Sequence, residues 1–128
     1  MTKAKLEIGE TVAFCKDETE LDKINAKLIA DYAYEGDEFA KSIYRESGRK
    51  LGMGLSILID ILNPERIIIG SIFARSKNLL YDECDKVMKR ECLGISYDIC
   101  KVVPAELSEN LGDYAALSLA LAADKGEL

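Results

Sequence analysis

Between Glu18 and about Tyr34, the apolar residues Leu21, Ile24, Leu28 and Tyr32 recur at spacings of three and four. That period predicts a helix with one buried stripe. Gly36 interrupts the pattern, and Asp37 is placed to cap a second helix. Its stripe runs through Phe39, Ile43, Leu51, Leu55, Leu58 and Leu62 until Asn63-Pro64 stops it. Such a helix of roughly 25 residues would be ~37 Å long. Gly48, Gly52 and Gly54 lie inside it, each at a propensity cost of up to ~1 kcal/mol. Gly48 and Gly52 share one face, which would let a second helix approach closely; a kink or a break into two helices is the other reading.

After Pro64 the pattern changes. Arg66-Ile67-Ile68-Ile69-Gly70 is a short, unalternating, β-branched run ended by glycine, as a strand buried on both faces reads. A third helix is predicted from about Ser76 to Glu91, with Leu80, Cys84, Val87 and Met88 as its stripe. Ile99 to Val103 reads as a second strand bounded by Pro104, and Asn110 to Asp124 as a closing helix rich in Ala and Leu. Leu6 to Phe14 is a further strand candidate. No repeat or Gly/Ser/Pro-rich linker intervenes, so residues 1–128 are expected to form one α/β domain, mostly helical with a small sheet. A sheet so thin hints at a missing part.

Composition narrows the chemistry. Hydrophobic residues at 48% and charged residues at 31% fit a globular chain. There is no histidine, so no Ser-His or Cys-His pair and no His-containing metal site can be assembled. A net charge of −6 opposes a phosphate-binding footprint, and direct nucleic-acid binding is not expected. Cys15, Cys84, Cys92 and Cys100 contain no C-x-x-C pair and are expected as reduced thiols, not metal ligands. No apolar run approaches the ~20 residues of a membrane span, and no signal-type segment opens the chain; a cytoplasmic protein is expected.

The strand end at Ile69-Gly70-Ser71 is the main candidate site. In open α/β sheets a ligand approaches outside the carboxyl ends of the strands, where main-chain N–H groups can meet a phosphate or ribose. The turn lacks the G-x-G-x-x-G or Walker spacing, and a plain strand terminator explains it as well. Carboxylate pairs such as Asp82 with Asp85, or Glu35 with Asp37, read more readily as solvated helix faces than as acid and base. Asp60 lies off the Leu55/Leu58/Leu62 stripe and is expected to be exposed.

Three segments in order carry a family resemblance: Glu35-Gly36-Asp37-Glu38-Phe39-Ala40; Gly48-Arg49-Lys50-Leu51-Gly52-Met53-Gly54-Leu55; and Leu62-Asn63-Pro64-Glu65-Arg66-Ile67-Ile68-Ile69-Gly70. With the closing Leu111-Gly112-Asp113-Tyr114-Ala115-Ala116-Leu117, they resemble the C-terminal part of the ROK family, most clearly over residues 30–123. That family comprises bacterial sugar kinases, glucokinase-like enzymes and sugar-responsive transcriptional repressors. The resemblance implies part of an actin-like, ribonuclease-H-like ATPase lobe, with Gly70 and Ser71 bordering the adenosine end of ATP bound with magnesium.

Two departures stand out. The family usually has Gly-Gly where this chain has Gly70-Ser71, and Gly-Ala where it has Leu119-Ala120. The family's phosphate loop, catalytic aspartate, Glu-x-Gly-His motif and Cys/His zinc cluster have no counterpart among these residues, so no catalytic or metal-binding residue is assigned. The resemblance therefore implies the C-terminal lobe of a sugar kinase, inactive as an isolated chain, whose N-terminal lobe is a missing partner. The alternative is a non-catalytic, dimerising module of a ROK-type repressor. A homodimer is expected on either reading, through the Gly48/Gly52 face or the final helix around Ala116 and Ala120.

Overall fold

The computed structural model describes residues 1–107 and 110–126, with Leu111 described by its backbone alone. Helix α1 (Thr2–Glu7) is followed by a 3₁₀ helix (Glu18–Lys23), α2 (Ala26–Tyr34) and the long α3 (Glu38–Leu62). Then come β1 (Arg66–Ile69), α4 (Ser71–Glu91), α5 (Gly94–Ile99), β2 (Lys101–Pro104) and α6 (Leu111–Asp124). The two strands pair in parallel, with Arg66 opposite Lys101 and Ile69 opposite Pro104. This is the expected class, α/β with many helices and a small sheet, but β1 is not buried on both faces as its unalternating run predicts: Ile67 and Ile69 pack on the core while Ile68 is 64% exposed.

The backbone of the fold is the packing of α3 on α4. Asp37 caps α3 as the sequence predicts, its carboxylate accepting the Ala40 N–H at 2.6 Å. The helix runs unbroken to Leu62, where Asn63 turns left-handed (φ 43°) ahead of Pro64. Gly48 and Gly52 are both buried, and a Cβ on either would lie 2.3 Å from the Leu80 carbonyl or 2.6 Å from that of Cys84. Their role is the close approach of α4, with no kink. Gly54, by contrast, faces open space.

The buried face of α3 runs through Tyr44, Leu55 and Ile59, which corrects part of the expected stripe. Leu58 and Leu62 are exposed, because a pitch of 3.6 residues carries the face that meets α4 from Leu55 to Ile59. On α4, Leu80, Cys84, Val87 and Met88 are buried as expected.

Other departures are local. The predicted helix from Glu18 is divided: Asp17 caps the 3₁₀ helix, and Asn25 starts α2 afresh by accepting the Leu28 N–H at 2.9 Å. Two successive side-chain caps divided a pattern whose period alone is continuous. The strand expected over Leu6–Phe14 does not form; Leu6 belongs to α1, and only an isolated bridge joins Val12 to Cys15. That segment serves as core cover, with Phe14 stacked on Phe39 at 5.9 Å. Helix α4 begins at Ser71 and bends at Ser76 (φ −122°, ψ 28°), so the predicted start coincides with the bend. The strand expected from Ile99 to Val103 begins at Lys101 and includes Pro104, because Ile99 closes α5, a short helix that the sequence pattern does not predict.

Candidate functional site

The candidate site lies at the carboxyl end of β1. The Ala105 N–H donates to the Ile69 carbonyl at 3.0 Å, holding the two strand ends together where the chain turns into α4. Gly70 precedes α4 with an extended backbone (φ −91°, ψ −163°), and as a glycine it offers the helix no side-chain cap. Among the described residues no side-chain hydrogen bond to the first N–H groups of α4 is seen, and Ser71 beside them is exposed.

Nothing in the fold demands glycine at position 70. Its φ is ordinary, and a Cβ there would meet only the Ala105 Cβ at 3.9 Å. The demand falls instead on Ser71, whose φ of +53° is a conformation that side chains disfavour. A glycine at the second position would remove that strain, which gives a physical basis for the Gly-Gly of the resemblance.

Beside this turn a cavity of about 680 Å³ opens between α2, α3 and the first turns of α4. Ile72, next in the chain to Ser71, lines it with Arg75, Tyr34, Tyr44, Asp31 and Asn25. Tyr44 is buried and anchors the wall, its hydroxyl donating to the Ala26 carbonyl at 2.7 Å. Tyr34 is largely exposed, with its ring at the rim. An aromatic and aliphatic wall with a few polar groups, next to a helix N-terminus, suits a planar ring joined to an anionic tail. None of the wall residues carries a sequence signal of its own, since three separate elements bring them together.

The remaining candidates do not assemble into a site. Asp37 is used as a helix cap, and Glu35 closes α2. Asp85 accepts the Tyr97 hydroxyl at 3.0 Å, while Asp82 is exposed. Asp60 is exposed as expected and also works structurally, accepting the Leu93 N–H at 3.0 Å to tie α5 to α3. Among the described residues no three acidic or thiol groups cluster as metal ligands, and the four cysteines are unpaired. Among them, too, no helix is long and apolar enough to cross a membrane.

Comparison with known proteins gives both an enzyme and transcriptional regulators as relatives. The chain is 31% identical over 100 residues to a glucokinase of Streptomyces coelicolor, covering 77% of this chain and 32% of the enzyme. It is 26% identical over 103 residues to the transcriptional regulator NagC of Escherichia coli, covering 79% of this chain and 25% of the regulator. The chain thus spans about a third or less of the length of either relative. A solved ROK-family transcriptional regulator, a homologue of the Escherichia coli protein Mlc, superposes with a TM-score of 0.66 at 27% identity, over 79% of this chain and 24% of that one. A putative sugar kinase from Cytophaga hutchinsonii shares the fold with a TM-score of 0.72 at 18% identity, over 94% of this chain and 38% of that one. Residues 9–123 match the ROK family as a whole, and the chain belongs to that family.

Proposed function

We propose that this chain is the nucleotide-side, C-terminal lobe of a ROK sugar kinase, contributing half of an ATP cleft. The observation that carries the reading is the uncapped start of α4 at Gly70-Ser71 beside the aromatic-walled cavity. In it, the base of ATP lies against Tyr34, Tyr44 and Ile72, and the ribose and α-phosphate meet the N–H groups after Gly70. Magnesium comes with the nucleotide. The sugar and the proton-abstracting carboxylate belong to a second lobe, because phosphoryl transfer requires closure around both substrates. Four reduced thiols suit a cytoplasmic setting.

A repressor module is the second reading, favoured by the strained Ser71 at the family's glycine position. Titration with ATP and magnesium separates the two. The kinase lobe predicts shifts of the amide resonances of Gly70, Ser71, Ile72 and Arg75; a titration that leaves those four unmoved while the fold is intact overturns it. The chain alone is expected to phosphorylate neither glucose nor an N-acetylhexosamine, and turnover that survives repurification would show the missing-lobe argument to be wrong.

A further inference from the structure

A second cavity, of about 340 Å³, lies between α3, α4, α5 and the start of β2. Its floor is apolar, formed by the buried Ile59, Met88 and Val102. One wall carries Asp85, a single turn along α4 from Tyr81, which also lines the cavity. Tyr97 joins them from α5 and donates its hydroxyl to the Asp85 carboxylate at 3.0 Å. That hydrogen bond leaves the negative charge in place, and the half-buried Asp85 has no ion-pair partner among the described residues. Asp98, exposed at the rim, adds a second negative charge.

The chain's own cations do not take this place. Arg66 and Lys101 border the cavity where the strands begin, but alternation from the buried Val102 turns their side chains to the opposite face of the sheet. Lys77 lies over the Tyr81 ring, 4.9 Å from its centre, and is not part of the walls. Strand β2 adds a main-chain acceptor instead. Lys101 and Ala105 send their N–H groups to β1, so Val102 addresses the other side, and its carbonyl lies along the edge of β2 that has no strand beside it. A half-buried carboxylate, a carbonyl and two phenol rings thus stand over an apolar floor. Partly desolvated acceptors of this kind favour a positive charge that brings its own N–H donors, and aromatic rings add to the preference. The volume falls at the lower end of ligand sites, about 300–1,000 Å³.

We propose that this cavity binds a small primary ammonium with an apolar body. The ammonium donates to the Asp85 carboxylate and the Val102 carbonyl beside the tyrosine rings, and the body meets Ile59 and Met88. The site is separate from the turn at Gly70 and does not rest on the nucleotide reading.

The test is an amide-resonance titration of the isotopically labelled 128-residue chain at neutral pH, without nucleotide, using cyclohexylammonium, cyclohexanol and ammonium chloride in parallel. The expected result is saturable movement of Asp85, Tyr97, Cys100 and Val102 with cyclohexylammonium, at lower concentration than with its neutral counterpart or with ammonium. Asp85→Asn keeps an acceptor for the Tyr97 hydroxyl and removes the charge. It is expected to weaken cyclohexylammonium by roughly tenfold or more and to leave the response to cyclohexanol unchanged. An equal response of the unaltered chain to cyclohexanol would reduce the cavity to an apolar pocket, and an equal response to ammonium would reduce it to an unselective charge; either overturns the proposal. So would the absence of saturation up to about 10 mM, or undiminished binding by the variant.

Discussion

Ser71 concentrates the conflict between local conformation and the site it borders. A non-glycine residue at φ +53° costs on the order of 1–2 kcal/mol, and among the described residues no side-chain hydrogen bond of Ser71 offsets that. Part of the gain from glycine is returned as unfolded-chain entropy. Ser71→Gly is therefore expected to stabilise the chain by about 0.5–1 kcal/mol, read as a rise in Tm of ~3 °C. Unchanged or lowered Tm would mean that the turn relaxes in solution. Cys84 and Tyr97 make a second prediction at this scale. Burial, with the nearby Asp85 carboxylate, pushes the Cys84 thiol from 9.0 up to about 11. Burial and the hydrogen bond to Asp85 push Tyr97 from 10.0 up to about 12. Both groups keep their protons longer in the folded state, so unfolding releases protons at high pH. Stability is then unaffected by these groups below about pH 9 and falls as pH rises from there towards 12. Urea midpoints measured from pH 8 to 11 check the sign, and Cys84→Ala is expected to flatten the earlier part of the fall.

At the scale of elements, the α3–α4 pair holds the fold, and its closeness rests on two hydrogen atoms. Gly48→Ala would place a methyl carbon 2.3 Å from a main-chain oxygen, which only separation of the helices relieves. A loss of about 2–3 kcal/mol is expected, with Gly54→Ala on the open side of the same helix neutral or stabilising by up to ~1 kcal/mol. Chemical denaturation of the two variants side by side is the measurement. Equal stabilities would deny the close approach. The spacing of Gly48 and Gly52 made this contact legible in advance, since few other arrangements justify two buried glycines one turn apart. The short helix α5 left no such trace: it is held from outside by Asp60 and Asp85, through bonds spanning 33 and 12 residues of sequence.

Across the whole molecule, two of the exposed apolar surfaces run along helices. Met53, Ile57 and Ile61 form an exposed stripe along α3, with Ile61 74% exposed, and Leu93 lies near its end. Helix α6 carries Tyr114, Leu117, Leu119 and Leu121, all more than half exposed. Patches of this kind mark interaction surfaces. The Gly48/Gly52 face is consumed within the molecule, which withdraws it as the dimer contact expected from the sequence. The proposed homodimer then uses the outer stripe of α3 or the face of α6 around Ala116 and Ala120. Sedimentation equilibrium at micromolar concentration is expected to show twice the 14.2 kDa chain mass. Ile57→Lys/Ile61→Lys, on the exposed stripe, or Leu117→Lys/Leu121→Lys, on α6, identifies which face is responsible by returning the chain to a monomer. A single 14.2 kDa species for the unaltered chain excludes self-association.

Features that depend on neighbours along the chain are legible without the fold. The cap at Asp37, the stop at Asn63-Pro64, the β-branched run of β1 and the buried stripe of α4 are set within a few residues, and each stands where the local pattern put it. The motif order around Asn63-Pro64 and Gly70 also sufficed to indicate the family. Which side of α3 is buried towards its end follows from packing instead, because the direction from which α4 approaches selects Ile59 over Leu58 and Leu62. Packing alone also made the cavity beside Gly70-Ser71, since Tyr34, Tyr44 and Ile72 are brought together from separate elements. Local periodicity records burial and capping, while a concave site is a relation between elements that no single stretch of sequence contains.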